Sequence, residues 1–220
     1  MSGVKNIVLV HGAWADGSSW SKLIPLLQAK GLHAAAVQNP LSSIADDVAS
    51  TNRLINAQDG PVLLVGHSYG GAVISEAGMN PKVAGLVYVA AFAPDKGETL
   101  SGLAGQYPKP PLFNEIKPIE DGFLMLTDKG VDESFAQDLS AEDKALVRAP
   151  KGRPKAPSLE RRSGPPPGIT SRVGSLSPLT TGPLHLSRSR SPRNACMLKS
   201  SRSRQATCRC CRTPTRSQSL

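Results

Sequence analysis

Residues 61–71, PVLLVGHSYGG, constrain this chain more than any other stretch. Val62 to Val65 are apolar enough for a strand buried on both faces, Gly66-His67-Ser68-Tyr69-Gly70 follows, and Gly71-Ala72-Val73-Ile74 opens a helix. A G-x-S-x-G run in that setting is a nucleophile elbow. The strand must turn into the helix within a few residues, which leaves the serine at the tip in a strained backbone conformation with its hydroxyl exposed. Glycines at 66 and 70 remove the side chains that would collide in so tight a turn. The same pattern on a surface loop would be a chance match; the apolar strand before it and the apolar helix after it select the elbow.

The neighbouring sequence alternates in the same way. Residues 5–10 (KNIVLV) read as a strand of the kind buried in a parallel sheet, ending in His11-Gly12-Ala13-Trp14. Residues 21–30 give a helix with apolar positions 23, 24, 26 and 27, Pro25 near its first turn and Gly31 as its stop. A short strand at 34–37 is closed by Asn39-Pro40. A helix follows over 43–57, with Asp46 and Asp47 in its first turn, where they suit the helix dipole. A helix over 70–79 and a fourth strand over 83–91 (VAGLVYVAA) complete the series. Strands and helices at this spacing form right-handed βαβ units and a parallel sheet. Ligands of such sheets lie at the carboxyl ends of the strands, where Ala13, Ser68 and Ala93-Pro94-Asp95 all fall.

From Pro94 the texture changes to frequent Gly, Pro and Lys, with a short apolar stretch at 122–126 and a capping box, Ser-Ala-Glu-Asp, ahead of a helix over 140–148. The organisation expected is an α/β core over 1–93, a cap inserted over the sheet's edge at 94–148, and a basic tail at 149–220. A linker to a second domain is the other reading of 94–148, but nothing after it has the composition to fold as one. The chain divides at about residue 150. Residues 1–150 hold 11 Lys+Arg against 16 Asp+Glu, whereas residues 151–220 hold 15 against 1. Every Phe, Trp and Tyr lies at or before Phe135, and every cysteine at or after Cys196. An aromatic-free segment rich in Pro, Ser and Arg buries too little apolar surface to offset its conformational entropy, so the tail is expected to be disordered.

Composition also bounds the partners. No apolar run is long enough to span a membrane and no signal peptide is visible, so a cytoplasmic location is expected, without a membrane partner. Cys196, Cys208, Cys210 and Cys211 form no pair of C-x-x-C arms, and His185 is poorly spaced from them, so no metal is expected.

The chemistry expected of the elbow is acyl transfer, with Ser68 attacking an ester carbonyl. The developing oxyanion needs two backbone donors: the amide of Tyr69, next after the nucleophile, and one from the loop after the first strand, for which Ala13 is the candidate. Trp14, on that loop, either walls a substrate pocket or makes a core or cap contact. His67 points to the other side of the elbow as a structural residue, and His11 and His33, at element ends, read as packing residues.

HGAW after the first strand, GHSYGG at the elbow and VYVAAFAPDKGE at the fourth strand together resemble the small α/β-hydrolases related to plant methylesterases and hydroxynitrile lyases, particularly their bacterial esterase-like members. The resemblance covers about residues 4–148. It implies the α/β-hydrolase fold, a Ser-His-Asp triad, no metal or organic cofactor, and hydrolysis of a small ester; matching residues carry over for Ser68, Ala13 and Tyr69. The family's acid and histidine are expected after two further strands, and there the sequence departs. His185 sits in Pro-Leu-His-Leu-Ser-Arg with no strand before it, and Asp95, an alternative acid, has no accompanying histidine. A serine without its base loses several orders of magnitude of rate, so impaired activity is expected.

The genetic code offers a reason. Residues 204–218, written as degenerate codons and read from each third base, permit Ser-Ser-His-Met-Ser-Leu-Leu-Ser-His-Pro-Asp-Glu-Val-Ala, which resembles the missing histidine segment. In the same frame residues 165–171 permit Pro-Ser-Trp-Tyr-Tyr-Val, a strand, and residues 180–182 permit Asp-Asp-Arg or Asn-Asp-Arg, at the place of the acid. A frame shift near residues 149–151 is therefore expected, which would cost the sheet its last two strands and bare the apolar edge of the strand at 83–91. Two other functions stay open. One is a lyase of the same fold, since fold does not fix the reaction. The other is a binding protein whose tail, with Ser-Arg-Ser-Arg-Ser-Pro, holds nucleic acid or an acidic membrane through phosphate contacts. The tail lacks aromatics for base stacking, and the misread of a GC-rich gene yields the same Arg, Pro and Ser bias, so the nucleic-acid reading is disfavoured.

Overall fold

The computed structural model describes residues 3–149, 154–155 and 174–176, all within the unit Met1–Ser189. Continuous apolar runs become the inner strands of a parallel sheet. β1 (Asn6–Val10) is buried throughout. After it, Asp16 caps a 3-10 turn at Gly17–Trp20, ahead of α1 (Ile24–Gln28). The helix expected over 21–30 is thus shorter, Ile24–Gln28, with a turn over 21–23 before it. Pro25 occupies the first turn of α1, where its missing N–H costs nothing. Leu26, expected on the apolar face, is 62% exposed, while Leu23, Ile24 and Leu27 pack inward.

β2 (His33–Ala36), α2 (Ile44–Asn56), β3 (Val62–His67), α3 (Gly70–Ala77) and β4 (Val83–Val89) follow in βαβ order. Ser43 caps α2 by accepting the Asp46 N–H, a bond worth about 1 kcal/mol. The strand order is β2-β1-β3-β4, with every pairing parallel. Alternation along the strands divides the core. Val8, Val10, Val62 and Leu64 face Ile44, Ile55, Val73 and Ile74 of α2 and α3, whereas Ile7, Leu9 and Val65 face Trp20 and the inner side of α1. Both faces of the sheet are therefore covered, as continuous apolar strands require.

The segment from 94 to 148 holds α4 (Leu100–Ala104), an antiparallel pair β5 (Ile116–Pro118) and β6 (Leu124–Leu126), α5 (Asp128–Gly130) running into a π-helical turn at Val131–Phe135, and α6 (Ala141–Arg148). The Ser140 hydroxyl accepts the Asp143 N–H at the start of α6, as the capping box predicts. Leu126, Val131 and Ala136 form a small core of their own, shared with Trp14.

Two short pieces correct the expectation of a structureless tail and a bare β4 edge. β7 (Gly174–Leu176) pairs in parallel with Val87–Val89 of β4. Lys155 donates its N–H to the Leu41 carbonyl, and the Pro154 carbonyl accepts the Leu124 N–H. An unpaired edge offers regularly spaced donors and acceptors that an extended segment of almost any sequence can meet, so composition alone was a poor guide. The remaining tail expectations, including His185 and the cysteines, lie outside the described residues.

Candidate functional site

Backbone strain gathers at the carboxyl edge of the sheet. Four non-glycine residues with positive φ stand just past consecutive strands: Trp14 (57°) after β1, Leu41 (58°) after β2, Ser68 (53°) after β3 and Ala90 (43°) after β4. Such conformations cost on the order of 1–3 kcal/mol each and persist where packing over-determines them, commonly at functional sites.

At Ser68 the determining contacts are visible. Its carbonyl accepts N–H bonds from Gly71 (3.0 Å) and Phe92 (3.1 Å), tying the elbow both to the first turn of α3 and to the chain leaving β4. A Cβ on Gly66 would stand 2.6 Å from the Gly70 carbonyl oxygen, and one on Gly70 would overlap the carbonyls of Val10 and His11. These are the collisions the glycine spacing avoids. Ser68 itself is half-buried.

The loop after β1 lies directly against this tip. A Cβ on Gly12 would meet the Ser68 Cβ at 3.0 Å and the His67 carbonyl oxygen and Nδ1 each at 3.3 Å. The backbone at Gly12, next to Ala13, therefore lies against Ser68, and Ala13 is buried. Trp14, next along, is half-buried and donates its indole N–H to the Leu124 carbonyl at 3.1 Å. Of its two readings, the contact with the 94–148 segment is present. Tyr69 is 1% exposed within the α2/α3 face of the core.

The histidines separate by environment. His11 is fully buried; its Nδ1 donates to the Gly12 carbonyl at 2.8 Å and its Nε2 accepts the Asn39 N–H at 3.0 Å. Both ring nitrogens are thus occupied in the neutral form, and burial holds its pKa below the ordinary histidine value. His67 stands edge-on to Trp20, with ring centroids 6.4 Å apart, and burial, then the neighbouring His11, lower its pKa as well. His33 departs from expectation: it is exposed at the start of β2, an outer strand of the sheet, where its Nδ1 meets the Gln58 Oε1 at 2.9 Å. Among the described residues no hydrogen bond joins an imidazole to the Ser68 hydroxyl or to the Asp95 carboxylate. Asp95 is exposed and closes its own turn, its N–H donating to the Glu98 carboxylate and its carbonyl accepting the Glu98 N–H.

The two aspartates in the first turn of α2, both expected there to suit the helix dipole, differ in setting. Asp46 remains exposed in the first turn of α2, where the Ser43 and Ser42 hydroxyls bond its carboxylate and depress its pKa. Asp47 instead turns inward. It is fully buried, accepts the Leu41 N–H at 2.8 Å on Oδ1 and the Tyr69 hydroxyl at 2.6 Å on Oδ2, and burial pushes its pKa up to about 6 against those two bonds. The signal was present in the spacing. Ile44, Asp47, Thr51 and Ile55 lie on one helical face, and all four are buried.

A parallel sheet with helices on both faces and a strained serine between strand and helix at its carboxyl edge defines a class of protein: the α/β folds that carry a nucleophile elbow. The chain belongs to the alpha/beta hydrolase family, whose family profile matches residues 7–198. It is 33% identical over 114 residues to a carbendazim hydrolyzing esterase of Nocardioides sp., covering 44% of this chain and 46% of that protein. It is 34% identical over 132 residues to salicylic acid-binding protein 2 of Nicotiana tabacum, covering 53% and 48%. The chain thus spans about half the length of the curated relatives it matches. Among solved structures, polyneuridine aldehyde esterase shares the fold with a TM-score of 0.67 and 19% identity over 80% of each chain.

Proposed function

We propose that this chain is an esterase-type serine hydrolase in lineage, acting on a small carboxylic ester, with Ser68 as nucleophile and the amides of Ala13 and Tyr69 as oxyanion donors. The single observation that carries the reading is the elbow: a left-handed Ser68 (φ 53°) between β3 and α3 with the Gly12 loop packed against it. In the reaction, the Ser68 oxygen bonds the ester carbonyl carbon, the alcohol leaves with the proton that the hydroxyl gives up, and water then hydrolyses the acyl-serine. Backbone donors aimed at the oxyanion supply two to three orders of magnitude per donor at their best. Residues 94–148 act as a cap over this edge, held to it through Trp14. The names of the esterase relatives support a small-molecule ester as substrate.

Turnover by this polypeptide is impaired, because the described histidines are committed elsewhere and the residues that should carry base and acid fall in the part of the chain read as out of frame. A cytoplasmic location and the absence of cofactor, metal, nucleic-acid and membrane partners belong to the same proposal. The alternative of a lyase has no separate observation behind it. The test is hydrolysis of a short p-nitrophenyl ester by this chain, its Ser68→Ala variant and a version with the tail returned to the shifted frame. The frame-restored chain is expected to exceed the parent by at least about a hundredfold, with Ser68→Ala abolishing the gain. Equal rates in parent and frame-restored chains would contradict the reading.

A further inference from the structure

The peptide between Ser68 and Tyr69 is anchored at its carbonyl by the contacts already described. Its carbonyl is fixed by the Gly71 and Phe92 amides, and because a trans peptide is planar, the Tyr69 N–H is aimed the opposite way. The Tyr69 side chain adds a second anchor next to this peptide. The ring is buried in the core between β1, α2 and α3, and its hydroxyl reaches a carboxylate 22 residues earlier in the chain.

Burying a carboxylate is unfavourable unless its oxygens are paired, and replacing Asp47 by an apolar residue would remove the cost outright. A fully buried Asp on the inward face of α2, bonded to the side chain that follows the nucleophile, is therefore an expensive choice for packing alone. We propose that Asp47 is a positioning residue for the elbow: by accepting the Tyr69 hydroxyl, its carboxylate fixes the tyrosine side chain and thereby the amide that follows Ser68. The inference rests on the reading of Ser68 as nucleophile and of the Tyr69 amide as an oxyanion donor. A second role of Asp47 is separable from it. The other oxygen accepts the N–H of Leu41, a buried residue with φ 58°, and so supports the loop between β2 and α2. Tyr69→Phe removes the bond to the elbow and leaves the bond to the loop.

The experiment is time-dependent labelling of the full chain by an alkyl fluorophosphonate, in which the Ser68 oxygen bonds phosphorus and fluoride leaves. The limiting rate, kinact, and the reversible affinity, KI, are measured separately for the parent, Tyr69→Phe, Asp47→Ala, Asp47→Asn and the Tyr69→Phe/Asp47→Ala pair. Expected are a drop in kinact of about tenfold in Tyr69→Phe and in Asp47→Ala with KI unchanged, no further loss in the pair, and partial recovery in Asp47→Asn. If Asp47→Ala fails to fold, Tyr69→Phe still decides. Labelling of Tyr69→Phe at the parent's kinact, with the parent's melting temperature, would overturn the positioning role alone. A parent chain that is not labelled would overturn the nucleophile reading and this inference with it.

Discussion

At the scale of single residues, Asp47 makes a prediction independent of catalysis. Its carboxyl titrates at about 6 in the fold against 3.8 for the free group, so between those values the folded chain binds more protons than the unfolded one. Stability must then fall as pH rises from about 4 to about 6, and the penalty is complete above that range, at up to 2–3 kcal/mol on the order of 1.4 kcal/mol per pH unit. His11 and His67, with lowered values, work in the opposite sense: they cost stability as pH falls below the free histidine value of 6.5. Comparison with Asp47→Asn isolates the carboxyl, since the histidines are common to both. Chemical denaturation should show the parent gaining stability relative to Asp47→Asn between pH 7 and pH 4.5; a difference constant with pH would contradict the raised pKa. Asp47 also marks a boundary of what sequence discloses. Its helical face could be read from Ile44, Thr51 and Ile55, but its partner Tyr69 could not, because nothing local to either residue specifies a hydrogen bond across two elements.

At the scale of elements, the elbow was legible because its causes are local. An apolar strand, glycines without Cβ atoms and an apolar helix start each constrain the next few residues, and the structure adds only what the glycines avoid. The strongest such constraint falls on Gly71, where a Cβ would overlap the Phe92 carbonyl oxygen and approach the Ala91 Cβ to 2.7 Å. Gly71→Ala should therefore push α3 away from the chain leaving β4 and cost several kcal/mol, within the range of overpacked cores at about 1–3 kcal/mol or beyond it. Thermal unfolding checks this: a loss of more than about 8 °C is expected, and an unchanged midpoint would show that the two elements can separate freely. The pieces between 94 and 148 were harder to read. β5 and β6 are three residues each, too short for an alternation of period two to register, and their pairing is antiparallel within a stretch interrupted by prolines. The late start of the helix expected at 21–30 had a visible cause in Pro25, which sits in the first turn of α1, and the exposed Leu26 shows that an apolar residue at helical spacing need not be buried.

At the scale of the whole molecule, the charge division near residue 150 and the absence of aromatics beyond Phe135 set the last seventy residues apart by composition. They did not reveal that Gly174–Leu176 pairs with β4 or that Lys155 meets Leu41, because main-chain hydrogen bonds are made without regard to side-chain type. The same network shows how the parts are joined. The Leu124 carbonyl accepts the Trp14 indole beside Ala13, and the Leu124 N–H meets Pro154, whose neighbour Lys155 holds Leu41, the residue bonded to Asp47. Both proposed oxyanion donors are thus linked to β6 through short chains of hydrogen bonds. The central claim is that Ser68 is the nucleophile, and its most direct test is labelling of the intact chain with a fluorophosphonate, followed by peptide mapping. The account predicts a single adduct on Ser68, formed slowly, lost in Ser68→Ala and formed much faster when the tail is returned to the shifted frame. An adduct on another residue, or one that persists in Ser68→Ala, would contradict it.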